Sequence, residues 1–152
     1  MTVSEIEQAL AGSAAAVLES MFFSGLVDGP EPPVLPDEPW MAARLSFHGN
    51  PSGRFGVRLP LATARRLAAN FLGADEEALT EGQAGEVICE LANMLCGSVL
   101  SRLEKDARFE LSHPELSVPA PAESAPGTPA PASAATRLLN LEEGPMALWL
   151  EL

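Results

Sequence analysis

Apolar residues recur every three to four positions in three stretches of the chain, and at every second position in the segments between them. The first pattern is typical of a helix with one apolar face, and the second of a strand that buries one side. The helical segments are 5–23, 61–72 and 80–105. The alternating segments are 40–48, 54–59, 109–118, 136–141 and 146–152. The resulting order α-β-β-α-α-β-β-β predicts an α/β sandwich, in which helices pack on a mostly antiparallel sheet.

The ends of the three helices carry recognisable signals. Ser4 and Glu7 have the spacing of a capping box at the start of the first helix. Pro60 suits the first position of the second helix, because a proline has no N–H to leave unsatisfied there. Thr80 and Gln83 form a second capping box, which predicts the start of the third and longest helix.

One segment departs from both patterns. Residues 119–135 contain five prolines and seven alanines among seventeen residues, with no side chain large enough to anchor the segment in a core. This composition predicts a flexible insertion between strands. The 152 residues, 47% of them hydrophobic, otherwise suit a single domain that spans 1–152.

The charge balance narrows the range of partners. The net charge is −12, which argues against binding to nucleic acid or to an anionic membrane, because both require basic surfaces. No run of 18 apolar residues and no basic leader is seen, so a cytoplasmic protein is expected. Five arginines in the middle of the chain are candidates for a local basic patch: Arg44, Arg54, Arg58, Arg65 and Arg66. The alternative for the two on the second strand, Arg54 and Arg58, is a solvent-facing sheet edge.

The two cysteines favour structural roles. Cys89 and Cys96 lie seven residues apart on one predicted helix, roughly 10 Å by helical rise, which is too far for a disulfide. The two histidines, His48 and His113, complete no metal-ligand spacing with them. Two buried thiols and no metal site are therefore predicted.

The third helix carries an unusual polar stripe. Glu86, Glu90, Asn93, Gly97 and Ser101 fall on the side opposite its apolar residues. In a helix interior Asn costs roughly 0.7 kcal/mol and Gly about 1 kcal/mol relative to Ala. Because these residues lower the stability of the helix, the stripe indicates a surface that binds a partner. The alternative is an ordinary solvated Glu and Asn pair.

The stretch Glu90-Leu-Ala-Asn93-Met94, followed by Leu-Cys-Gly97, resembles the E-x-x-N signature helix of the CheX/CheC/FliY chemotaxis phosphatases. The family pattern runs G-E-x-x-N-M, then two apolar residues, then Gly-Asn. Here Cys89 precedes the glutamate, and Ser98 stands where the family often has the final asparagine. The predicted order of elements is similar to that family over essentially the whole chain, and CheX-like members with a single motif are the most similar.

The resemblance implies a partner and a site. The substrate would be a phosphorylated CheY-type receiver domain, which carries an aspartyl phosphate and its own Mg²⁺, so no metal or cofactor of this chain is expected. Asn93 would orient the attacking water, and Glu90 would pair with a lysine of the receiver. Glu86, Met94 and Gly97 would contact the partner, with Gly97 allowing close approach of its backbone.

Some family members carry a second E-x-x-N on the first helix, but here the comparable stretch ends in Phe22 instead of an amide. One site per chain is therefore expected. A non-catalytic adaptor that binds a receiver, flagellar or signalling protein is the alternative function. The family precedent also favours a homodimer joined through a sheet edge, with 109–118 as the candidate edge strand and a monomer as the alternative.

Overall fold

The computed structural model describes residues 2–27, 39–117 and 134–152. The elements in these ranges are three α-helices, a 3₁₀ turn and six strands. The helices are α1 (Val3–Phe22), α2 (Leu61–Leu72) and α3 (Glu81–Leu103), and the 3₁₀ turn is Glu76–Ala78. The strands are β1 (Trp40–His48), β2 (Gly53–Pro60), β3 (Glu110–Leu111), β4 (Glu115–Ser117), β5 (Ala135–Leu141) and β6 (Gly144–Glu151).

The six strands form one antiparallel sheet in the order β3-β1-β2-β6-β5, with β4 also paired to β1. All three helices contact strands of this sheet, and α3 contacts both α1 and α2. The predicted α/β class with an antiparallel sheet is therefore confirmed. The insertion predicted at 119–135 lies outside the described residues as far as position 133, and its last residue, Ala135, begins β5.

The strand predicted over 109–118 is split in two. β3 and β4 both pair with β1, but the register shifts by one residue between them. The interruption contains Pro114, which is buried and has no N–H to give to a ladder. Ser112 spans the gap, because its N–H donates to the Ser46 carbonyl at 2.8 Å and its hydroxyl accepts from the Ser46 N–H at 2.9 Å. Five predicted strands thus become six.

The core lies between the helices and one face of the sheet. In β1 the alternation is as predicted, since Met41, Ala43, Leu45 and Phe47 are at most 4% exposed. β6 is different, because it is buried on both sides. Met146, Leu148 and Leu150 enter the core, while Ala147 and Trp149 are buried on the opposite face, here called the second face. Leu152, the last residue of the predicted alternating segment 146–152, is 50% exposed.

Two predicted helix starts need correction. The cap of α1 is Thr2 with Glu5, two residues before the predicted Ser4 and Glu7, and both reciprocal hydrogen bonds of the box are present. Pro60 ends β2 and caps α2 from an extended conformation, and the Leu61 N–H behind it donates to the Pro39 carbonyl at 2.8 Å.

The predicted start of α3 is confirmed. Thr80 and Gln83 form the capping box of α3. Gly73 ends α2 in a left-handed conformation with φ of 64°, which a glycine adopts without steric cost.

Candidate active site

The two sides of α3 differ as the sequence predicts. Six residues of its apolar side are completely buried: Ala84, Ile88, Leu91, Ala92, Leu95 and Val99. On the other side Glu86, Glu90 and Ser101 are exposed, and Asn93 and Gly97 are half-buried. Because the apolar side faces the sheet, the polar stripe faces away from it. α1 and α2 pack against α3 and hold this stripe in place.

Glu90 and Asn93 are the chemically distinctive pair on this stripe. Three residues apart on a helix, they are separated by about 4.5 Å along the axis and by about 60° around it. Within the described part of the chain, neither side chain has a hydrogen-bond or ion-pair partner. The amide of Asn93 therefore keeps both its donors and its acceptor for an external group.

The glycines of α3 separate into two kinds. A Cβ on Gly85 would lie 2.5 Å from Leu116 Cδ2, so the Leu116 side chain, which is 40% exposed, would have to shift. Beside Gly97, no atom of the described residues lies within 4 Å of the position that a Cβ would take. Gly97 also does not have a positive φ. Neither packing nor backbone conformation in the described structure requires it, which leaves a bare backbone patch one turn after Asn93.

Met94 and Cys89 flank the pair. Both side chains are half-buried and pack against the hydrophobic core. Burial, and then the negative charges of Glu86 and Glu90, raise the pKa of the Cys89 thiol. Burial raises the pKa of Cys96 to about 12. Both cysteines are free thiols and stay protonated at neutral pH, so they are poor nucleophiles.

A metal centre is not formed by this chain's own side chains in the parts described. Within residues 2–27, 39–117 and 134–152, no three His, Cys, Asp or Glu residues come close enough together to hold an ion.

The first helix has no amide at the position of a second E-x-x-N motif. Glu19 is exposed on α1, but Phe22 is completely buried and stacks on Phe71 with ring centroids 4.9 Å apart. This aromatic pair joins the ends of α1 and α2. Phe22 therefore serves the core, and the single-motif interpretation agrees with its position.

The five arginines predicted as one basic patch are divided by the fold. Arg65 donates to the carbonyls of Glu76 and Leu79, and Arg66 to that of Glu143, so both tie α2 to neighbouring turns. Arg44, Arg54 and Arg58 instead line one cavity on the second face of the sheet. The edge position expected in the alternative for Arg54 and Arg58 is wrong, because β2 lies between β1 and β6, although Arg54 is exposed to solvent as that alternative expects.

By length and composition alone, α3 is apolar enough to cross a membrane, with a mean hydropathy of 1.2 over 18 residues. More than half of that window, 56%, is buried inside the protein. This is the behaviour of the core helix of a soluble fold, and one such helix is weak evidence for a membrane span.

Comparison with known proteins places the chain in a family. Residues 41–128, more than half of the chain, match the family model described as chemotaxis phosphatase CheX. No curated protein is significantly similar in sequence. The chain therefore belongs to the CheX chemotaxis phosphatase family.

Solved structures share the fold at low sequence identity. The CheX protein of Desulfovibrio desulfuricans superposes with a TM-score of 0.74 at 16% identity, over 97% of this chain and 99% of that one. CheX from Vibrio vulnificus gives 0.73 at 15% identity, over 99% and 97%. A CheX–CheY–BeF₃–Mg²⁺ complex from Borrelia burgdorferi gives 0.69 at 13% identity, over 94% of each chain.

Proposed function

We propose that this protein is a cytoplasmic phosphatase that hydrolyses the aspartyl phosphate of a CheY-type receiver domain, with Asn93 and Glu90 as its catalytic residues. The observation that carries the proposal is the arrangement on α3. An exposed carboxylate and a half-buried amide lie one turn apart without a partner in the described chain, and Gly97, with open space beside it, follows. Membership in the CheX family and the CheX–CheY complex of a relative support the choice of partner.

The chemistry required of such a site is modest. An acyl phosphate already has a good leaving group, and Mg²⁺ in the receiver neutralises charge on the phosphoryl oxygens. The phosphatase must hold a water in line with the bond that breaks, which is catalysis by positioning. Asn93 suits this role because its amide can donate to the phosphoryl group and accept from the water. The water oxygen attacks phosphorus, the bond to the aspartate oxygen breaks, and inorganic phosphate and a free carboxylate result.

The neighbouring residues have supporting roles in this proposal. Glu90, exposed one turn earlier, pairs with a lysine of the receiver and sets the depth at which Asn93 enters. Glu86 and Met94 extend the contact along the helix, and Gly97 lets the partner backbone come close. No covalent intermediate forms on this chain, which is consistent with the raised thiol pKa of Cys89.

A non-catalytic adaptor of the same fold is the second candidate function. It is favoured by Ser98, which stands where the family often has an asparagine after the glycine. The presence of a single motif points the same way. The net charge of −12 opposes either function equally, because receivers are commonly acidic near their phosphorylation site and long-range repulsion slows association. An adaptor would use the α3 stripe only for docking.

Single-turnover decay of phosphorylated receivers separates the two functions. A panel of purified CheY-type receivers is phosphorylated with a small-molecule donor, and decay is followed with this protein in excess over its dissociation constant. We expect Asn93→Ala to slow the stimulated decay on the order of 100-fold while binding is nearly retained, because a positioning group is lost. Glu90→Ala should weaken binding as well as slow turnover.

Gln8→Ala, which removes an exposed amide of α1 outside the polar stripe, is the matched control and should behave as wild type. Asn93→Ala slightly favours the helix, so instability cannot explain a lost rate. If Asn93→Ala accelerates decay as well as the wild type does, the catalytic proposal is wrong. If the wild type binds a phosphorylated receiver without accelerating its decay, the adaptor function holds.

A further inference from the structure

A cavity of about 170 Å³ lies on the second face of the sheet, away from α3. Its walls include the two tryptophans Trp40 and Trp149, and three arginines, Arg44, Arg54 and Arg58, reach it from β1 and β2. Small residues make room for it. In the strand register Arg58 lies between Ala42 on β1 and Ala147 on β6.

The position of Trp149 is fixed by its cross-strand neighbour. Gly56 is paired with Trp149, and a Cβ on this glycine would lie 2.3 Å from the indole ring. The indole therefore lies flat over the Gly56 backbone, beside Arg58. Trp149 is only 9% exposed and Trp40 only 6%. These two rings give the cavity an apolar, aromatic wall.

Arg58 is the unsatisfied group in this cavity. Its Nη1 is buried and has no hydrogen-bond partner, and no described acidic residue pairs with the guanidinium. Burial lowers its pKa, yet an arginine remains charged at neutral pH. Only Nη1 is shielded from solvent, since the Arg58 side chain as a whole is half-buried. The cost of this partial burial is offset when an anion binds the guanidinium.

The other charges around the cavity are already engaged. Arg54 Nε donates to Glu151 at 2.8 Å. Arg44 lies 3.8 Å from Glu115, and both of these side chains are largely exposed, so their attraction is weak. With three arginines and one glutamate, the described lining is positive in a protein whose net charge is −12. The local field therefore favours an anion.

We propose that this cavity is a binding site for a small aromatic monocarboxylate, with its carboxylate on Arg58 and its ring against Trp149. A planar guanidinium matches the two oxygens of a carboxylate, and an indole face suits a flat ring. The size also fits, since an apolar cavity of about 150 Å³ accommodates one benzene ring. The site is separate from the proposed phosphatase site, because α3 lies against the other face of the sheet.

The chain carries its own reporter for this site. Trp40 and Trp149 are its only tryptophans, it has no tyrosine, and both indoles line the cavity. Benzoate is titrated into the full-length protein while tryptophan emission is followed, with calorimetry as a second readout. We expect saturable binding that changes the emission. The neutral isostere benzamide should bind about 10- to 100-fold more weakly, because it lacks the charge-assisted hydrogen bonds.

Arg58→Gln should lower benzoate affinity by a similar factor and leave that of benzamide nearly unchanged. Arg137→Gln, which removes an exposed arginine of β5, is the charge-matched control and should bind benzoate as wild type does. The benzamide comparison uses the wild-type protein, so it stands even if Arg58→Gln folds poorly. Equal affinities for benzoate and benzamide, or no saturable binding of benzoate, would overturn the proposal.

Discussion

At the scale of single residues, a site can be recognised by what the rest of the fold does not require. Gly56 must be small because Trp149 covers it, and a side chain at Gly85 would displace Leu116. Gly73 has a positive φ, which a side chain disfavours. Gly97 meets none of these conditions in the described structure. We therefore attribute the presence of Gly97, which lowers the stability of the helix, to contact with a partner protein.

We therefore expect Gly97→Ala to stabilise the protein and impair its function. Replacing a glycine inside a helix by alanine should raise the free energy of unfolding by about 1 kcal/mol. Since the added methyl group would meet the receiver backbone, we also expect a higher KM for receiver dephosphorylation with a smaller change in kcat. Thermal unfolding and steady-state kinetics on the same preparation measure the two effects.

Gly82→Ala is the matched control for this change. It lies in the first turn of the same helix, is exposed, and its Cβ would be 3.9 Å from Thr80 Oγ1, an ordinary contact. It should stabilise the fold without changing KM. If Gly97→Ala left KM unchanged as well, close approach of a partner at Gly97 would be excluded.

At the scale of elements, α3 carries both the core and the candidate site, so its first turn matters to both. The side chains of Thr80 and Gln83 satisfy N–H groups at its start in a reciprocal pair of hydrogen bonds. Leu79, directly before the cap, is buried and anchors the chain where the helix begins. The proposed catalytic pair, Glu90 and Asn93, lies ten or more positions further along, well beyond the reach of the cap.

Thr80→Ala should therefore destabilise the fold while sparing the site. We expect a loss of about 1 kcal/mol in the free energy of unfolding, because one N–H at the helix start loses its acceptor. Chemical denaturation measures this loss. Receiver dephosphorylation well below the melting temperature should match the wild type, and Thr80→Ser should restore the stability. A loss of activity in folded Thr80→Ala would mean that the start of α3 takes part in docking.

The sequence alone predicted an element correctly when the residues that determine it lie close together in the chain. The bounds of α2 and the cap of α3 followed from signals within a few residues, and both are confirmed. The cap of α1 was wrong because Thr2–Glu5 and Ser4–Glu7 have the same spacing, and local pattern does not rank them. The split of the strand at Pro114 depends on its pairing with β1, more than 60 residues away, which periodicity does not reveal.

The same distinction explains why the sequence indicated the candidate site on α3 and did not indicate the cavity. The polar stripe of α3 lies within one helix, so spacing was enough to find Glu90 and Asn93, and the roles of these residues came from the family resemblance. The cavity around Arg58 depends on β6 pairing with β2, which sets Trp149 against Gly56 across more than 90 residues of sequence. Without that register the arginines suggested only a diffuse basic patch.

At the scale of the whole molecule, assembly depends on the two edges of the sheet. One edge consists of β3 and β4, which are two and three residues long and interrupted around Pro114. Glu110 and Glu115 add exposed charge there. Short, broken and charged strands discourage pairing between molecules. The other edge, β5, is partly covered, since Leu26 bridges to Leu141 and the Val27 N–H donates to the Asn140 carbonyl at 2.8 Å.

We therefore expect the isolated protein to be a monomer, although the family precedent favours a homodimer. The segment 109–118, the candidate edge in the sequence, offers a second copy only five strand residues in two pieces. At neutral pH the net charge of −12 also repels a second copy over a distance of about 10 Å at moderate salt. Light scattering at micromolar concentration should give a mass of 16.0 kDa. Twice that mass, unchanged at low salt, would contradict this expectation. The interface would then involve the backbone of Ala135–Leu139 on β5, whose outer edge is unpaired within the described residues.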